Sequence, residues 1–231
     1  MFKQVLTGAA VAVALGAAGS ASAATYVSYL EWWDPDPITK AADPFGQVTI
    51  VEFDGYVEVT AELYDGAKFQ KSGANAPFAF SLDATGETVT SLTPTLTEGA
   101  SPYNMPAFGS FTNSFTLPGN GFPHSVHPIK FTVAATDMTF AGEGATFDID
   151  GRLLTSGTGN QFVSNAGGWW FAGHIQPLGK NAESINVAAK DAFCVAGCST
   201  GAVPEPDAWA LMIMGFGAAG AMLRRRKYAV V

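Results

Sequence analysis

An all-β domain, an antiparallel β-sandwich or jelly roll, is predicted by three features of the chain. Apolar and polar residues alternate with period two over residues 56–64, where Val57, Val59, Ala61 and Leu63 interleave with Glu58, Thr60 and Glu62. Further short apolar segments follow it, most of them bounded by Gly, Pro or Asn. No amphipathic helix of convincing length precedes Asp207. Short strands between frequent turn residues are the pattern of two packed antiparallel sheets.

The strands follow in order. Residues 47–54 and 56–64 are joined by Asp54-Gly55, and Asp65-Gly66 ends the second of them; both dipeptides favour turns. Residues 77–83 place Phe78, Phe80 and Leu82 on one face. Residues 110–117, 128–134, 137–141 and 145–150 continue the series. Gly167-Gly168 precede Trp169-Trp170-Phe171, which reads as a late, buried strand. The run Asp34-Pro35-Asp36-Pro37 makes residues 32–44 irregular or extended and keeps them out of a central strand. Residues 99–109 and 118–128 are Pro/Gly-rich connections suited to lining a rim or covering a sheet edge. No internal repeat of fixed period is present.

Both ends of the chain read as targeting segments. At the start, Lys3 is a positive n-region, residues 5–18 are an Ala-rich apolar run, and Ala21-Ser22-Ala23 supplies the small residues of a signal-peptidase site. The expected cut leaves Ala24, or failing that Thr25, as first residue. At the other end, Pro204-Glu205-Pro206 is held extended by its prolines. No residue from Ala208 to Leu223 is charged, and a helix of that length covers about 24 Å at ~1.5 Å per residue. Trp209 can sit at one membrane interface and Arg224, Arg225, Arg226 and Lys227 at the other. Basic residues mark the cytoplasmic side, which puts everything before Pro204 outside the inner membrane. The predicted organisation is therefore a signal peptide (1–23), a β domain (24–198), a small-residue linker (199–203) and a tail (204–227) with one transmembrane helix.

The tail, PEPDAWALMIMGFGAAGAMLRRRK, resembles the PEP-CTERM sorting signal of Gram-negative bacteria in its Pro-Glu-Pro-x-x-Trp-Ala variety. The resemblance rests on Pro204, Glu205, Pro206, Trp209, Ala210, Gly215-Phe216-Gly217 and the basic block of Arg224, Arg225 and Arg226 with Lys227. It implies processing by an exosortase, a membrane-embedded transpeptidase that cuts near the Pro-Glu-Pro motif. The helix would then be a transient inner-membrane anchor, and the protein would end at the cell surface or outside the cell. The segments EFDGYVEVTAELYDGAKFQKSGANAPFAFSL and GGWWFAGHI, with AAKDAF downstream, resemble the bodies of uncharacterised exported proteins carrying the same tail. That resemblance transfers no catalytic residue.

Charge excludes one class of partner. The chain has 12 basic and 20 acidic residues, net −8. Five of the basic residues lie in the two targeting segments, so residues 24–207 hold 7 basic against 20 acidic, net −13. Such a surface repels nucleic acid and anionic headgroups. At about 180 residues the mature part suits one domain that buries roughly 70% of its unfolded surface.

Local chemistry points to no catalytic centre, metal site or cofactor. His124, His127 and His174 would need the fold to bring them together to bind a metal. Asp148-Ile149-Asp150-Gly151 opens like a calcium loop, but Arg152 stands at the fifth position and no terminal glutamate follows. Glu52 with Glu58, and Asp148 with Asp150, are the carboxylate pairs a hydrolase would draw on. There is no G-x-S-x-G elbow. Cys194 and Cys198 are the only cysteines and, in an oxidising exterior, are expected to form a short-loop disulfide. Trp32, Trp33, Trp169 and Trp170 are the candidates for glycan contact. Adjacent strand residues point to opposite faces, which leaves one of each pair to cover an edge or to meet a sugar. The resulting expectation is an exported, non-enzymatic envelope or matrix protein, which its family resemblance links to exopolysaccharide and biofilm. A carbohydrate-binding module and a secreted hydrolase are the rival readings.

Overall fold

The alternation in residues 56–64 has the consequence that physics requires of it: one side is buried and the other is wetted. In the structure, a computed structural model, Val57, Val59, Ala61 and Leu63 are buried and their neighbours face outward. The structure describes residues 24–34, 36–72, 75–83, 87–118, 125–135, 138–177 and 183–198, together with 214 and 216. The predicted signal peptide with Ala21 and Ala23, the 199–203 linker, the residues Pro204, Glu205, Pro206, Trp209, Ala210, Arg224, Arg225 and Arg226, and His124 lie outside the described residues. Of the predicted tail helix, Met214 and Phe216 are described, both helical and exposed. Among the described residues no helix is long and apolar enough to cross a membrane.

The strands are β1 (Thr25–Leu30), β2 (Trp32–Trp33), β3 (Gly46–Phe53), β4 (Tyr56–Leu63), β5 (Lys68–Gln70), β6 (Phe78–Phe80), β7 (Thr88–Ser91), β8 (Thr97–Glu98) and β9 (Tyr103–Met105). They continue with β10 (Gly109–Phe111), β11 (Asn113–Thr116), β12 (Ser125–Val126), β13 (Ile129–Ala134), β14 (Thr146–Phe147), β15 (Leu153–Thr155), β16 (Phe171–Gln176), β17 (Ile185–Ala189) and β18 (Phe193–Ala196). The first sheet runs β18-β1-β3-β4-β13-β7. The second is centred on β16, which pairs β17 on one side and both β5 and β6 on the other. β12 extends β5, β11 and β8 extend β6, and β2 closes the far edge beside β17. All these pairs are antiparallel. β2 sits at an edge, as the following Asp-Pro run requires.

Register brings the apolar faces together. Ile50 lies opposite Val59, and Val59 opposite Phe131, on the inner face of the first sheet. Phe171 lies opposite Phe80, and Ile175 opposite Phe69, on the inner face of the second. The Phe80 and Phe131 rings stack across the gap at 4.7 Å. Gly173 has no side chain because a Cβ there would meet the Phe69 ring at 2.9 Å.

The second sheet is covered on its outer face as well. Ala79, Ala172 and Ala188 form a cross-strand row, over which Met105, Phe108, Phe111 and Trp169 pack as a separate small core. The predicted 99–109 connection does this work: it contains β9, whose hairpin with β10 forms part of the cover. Burial on both faces explains why all three residues of β6 are buried.

Four predicted strands are corrected. Residues 110–117 divide at Thr112, whose hydroxyl accepts from the Leu82 amide at 2.8 Å. Phe111 then joins the outer core and Phe115 the inner one, which an unbroken strand would place on one face. Of 145–150, only Thr146–Phe147 is strand, and the described part of 137–141 makes one bridge, Thr139 to Asn160. The late strand starts at Phe171 rather than Trp169, because Asn165 Oδ1 accepts from the Gly167 and Trp169 amides and Gly168 turns at φ 79°.

Candidate functional site

The tryptophans divide between the two cores. Trp33 and Trp170 are half-buried against the main core, Trp170 with its ring 5.2 Å from Phe140. Trp32 and Trp169 meet edge-on at 5.5 Å over the outer core, and Trp169 also meets Phe108 at 5.1 Å. Lys190 Nζ lies over both rings, 5.8 and 5.5 Å from their centroids. Trp169 is 8% exposed, with its ring packed against Trp32 and Phe108. Trp32 is half-buried with its indole nitrogen enclosed, and edge-on packing leaves no flat pair of rings.

The carboxylate pairs named from sequence do not converge. Glu58 lies opposite Val51 on the outward face, whereas Glu52 lies opposite buried Val57 and reaches inward past the core rim. Asp148 is a turn carboxylate: it accepts from the Asp150 and Arg152 amides and from Arg152 Nε. The backbone hydrogen bond from Arg152 leads the causes that hold its carboxyl below the usual range.

The histidines are engaged separately. His127 Nε2 accepts from the Leu63 amide at 2.9 Å. His174 lies on the outer face of the second sheet, in a row that runs from Gln70 (β5) through His174 (β16) and Asn186 (β17) to Asp34, just after β2. Asp34 Oδ2 accepts from Asn186 Nδ2 at 2.8 Å, which turns Asn186 Oδ1 toward His174 Nδ1 at 2.9 Å. That orientation assigns the ring proton to Nδ1 and leaves Nε2 a lone pair. Nε2 and both amide atoms of Gln70 are buried without a partner among the described residues. Burial is the leading cause that lowers the His174 pKa, opposed by Asn186 and by the charge of Asp34. Among the described residues no cluster of three or more metal-binding side chains occurs.

One recess does gather charge, and sequence reasoning missed it. Glu52 Oε1 accepts from the Phe140 and Ala141 amides at 2.6 and 3.2 Å, which holds the following loop over the end of the sandwich. That loop pairs back on Thr158, with Glu143 N donating to Thr158 O at 2.8 Å. Gly142, at φ 84°, permits the approach, since a Cβ would meet Gly157 at 2.7 Å. Under the loop lies a half-open cavity of about 300 Å³ lined by Ala24, Tyr26, Glu52, Glu143, Phe147 and Cys198, among others. Among the described residues its charged lining is acidic only. Burial, then the charge of Glu52, pushes the Tyr26 phenol well above its ordinary range.

Cys194 and Cys198 are disulfide-bonded, with Cα atoms 6.0 Å apart. The bridge closes the end of β18, and Cys198 Sγ lies 3.8 Å from the Thr25 carbonyl oxygen. It therefore walls the recess beside the first described residues of the chain.

Residues 202–227 match the family model of the PEP-CTERM protein-sorting motif. The motif implies an exported protein that an exosortase processes. Comparison of the chain with curated proteins and with solved structures finds no match.

Proposed function

Taking the PEP-CTERM motif at residues 202–227 as premise, we propose that the chain is a non-enzymatic structural protein of the cell surface or extracellular matrix, associated with exopolysaccharide. The single observation that carries the reading is that motif, placed behind an all-β domain. In this reading the apolar segment after Pro206 holds the exported domain at the outer face of the inner membrane until the exosortase cuts. Replacement of the helix-bearing tail then frees an acidic domain, whose repulsion from anionic headgroups favours departure from the membrane. Support against a hydrolase comes from the two carboxylate pairs named from the sequence. Asp148 is committed to a turn, and Glu52 and Glu58 face opposite ways.

The experiment reads the mature C-terminus. Mass spectrometry of surface protein from a host with a working exosortase should find the chain ending near Pro204, with residues 211–227 gone. Glu205→Ala with Pro206→Ala should leave the apolar segment able to insert but remove the extended shape and charge that are recognised. Uncut protein would then accumulate in the inner membrane with its domain exported. Surface-located protein that retains residues 211–227 in that host would falsify the sorting step.

A further inference from the structure

We propose that the acidic recess is the seat of this chain's own mature α-ammonium group, so that removal of the signal peptide supplies the cation that completes the end of the sandwich. The proposal rests on the expected cut before Ala24, and the geometry gives that residue a distinct place. Ala24 lines the cavity, and its carbonyl accepts from the Glu52 amide at 2.9 Å. Its nitrogen is therefore tethered within one residue of the strand that carries Glu52. In the precursor that nitrogen is a neutral peptide amide. After the cut it becomes a positive group with up to three donors at the wall of a cavity of about 300 Å³.

Charge balance singles out this occupant. Glu52 (on β3) and Glu143 (on the covering loop) are the charged groups of the lining, and neither forms an ion pair among the described residues. Tyr26 on β1 is the remaining titratable group there and is held neutral by burial and by Glu52. Cys198 is bridged and does not titrate. Two carboxylates in a half-enclosed site repel each other and attract any cation, and a tethered one acts at high effective concentration. A cut one residue later would remove the Ala24 carbonyl and its bond to Glu52. The seat therefore favours an Ala24 start over the Thr25 alternative.

The test sets the first residue directly, with a fusion that a specific protease cuts before Ala24 in a chain otherwise intact through its tail. This keeps failure of the seat distinct from failure of the predicted signal cut, which N-terminal sequencing of exported protein decides. The α-amine is titrated by pH-dependent acylation rate. A seated ammonium should titrate about one pH unit or more above the ordinary range of ~7.7–8.0, and react at least about fourfold more slowly at pH 8. Glu143→Gln, at an exposed side chain, should move the titration back toward the ordinary value. A chain extended by one glycine before Ala24 should lose part of the shift. An α-amine that titrates in the ordinary range in the Ala24-started protein, unchanged by Glu143→Gln, would overturn the proposal.

Discussion

Phe80→Ala should remove a large share of the stability of this domain. The ring is fully buried on the inner face of the second sheet. Its centroid lies 4.7 Å from Phe131, 5.8 Å from Phe115 and 6.0 Å from Phe162. Phe131 belongs to the opposite sheet and Phe115 to a neighbouring strand, so each is fixed by its own backbone ladder. They cannot collapse into the space, which puts the cost toward the upper part of the ~3–5 kcal/mol range for such truncations. Against a total of about 5–15 kcal/mol, that loss is visible in any equilibrium measurement. Urea unfolding followed by tryptophan fluorescence should show a lower midpoint with an unchanged slope. Phe53→Ala is the control. Phe53 is 39% exposed and stacks at 4.7 Å on Tyr56 across the turn, so its loss should cost about 1 kcal/mol or less. A Phe80→Ala cost below ~1 kcal/mol, or equal costs at the two sites, would refute the placement of Phe80 between the sheets.

His174 and the disulfide give two further expectations. The lowered His174 pKa means that the unfolded chain takes up a proton first as pH falls below ~6.5. Stability should therefore be fully present above that pH and decline below it, toward the lower folded value, by up to about 1.4 kcal/mol per pH unit. Urea midpoints at pH 7 and pH 5 should draw together in His174→Gln; an undiminished pH difference in that variant would contradict the assignment. Exported protein should resist thiol alkylation until reduced, and gain about two mass units on reduction. Cys194→Ser should cost only ~2 kcal/mol or so, because the loop that the bridge closes is short.

The parts of the fold that the sequence made legible are those with one wet face and one dry face. Residues 56–64 alternate because β4 is buried on one side, and their period of two carried the prediction. β6 and β17 are covered on both sides, so apart from the hydrogen-bonded Asn186 their residues are apolar or small and carry no alternation. β17, with β1, therefore went unrecognised, while residues 77–83 were found by their aromatic spacing. The division at Thr112 depends on a hydroxyl bonded to Leu82, and no local pattern announces a partner thirty positions away. A tertiary contact won over the local period there.

The site divides along the same line between local and distant information. A sorting motif is read by a membrane enzyme as a linear stretch, so its determinants lie side by side, and Pro204 through Lys227 could be read in order. The disulfide was legible for a similar reason, since four positions separate its cysteines. The acidic recess is different. Glu52 meets Phe140 and Ala141 from 88 and 89 positions away, and Glu143 joins it only because a loop folds back through Gly142. In the sequence Glu52 was one member of a carboxylate pair with Glu58, and strand alternation put those two on opposite faces. The acid that shares its cavity is Glu143, and beside both lies Ala24, named beforehand only as the far side of an expected cut. In the proposed reading, both ends of the mature chain are defined by short linear signals. What the new N-terminus meets is decided by folding, which no linear signal describes.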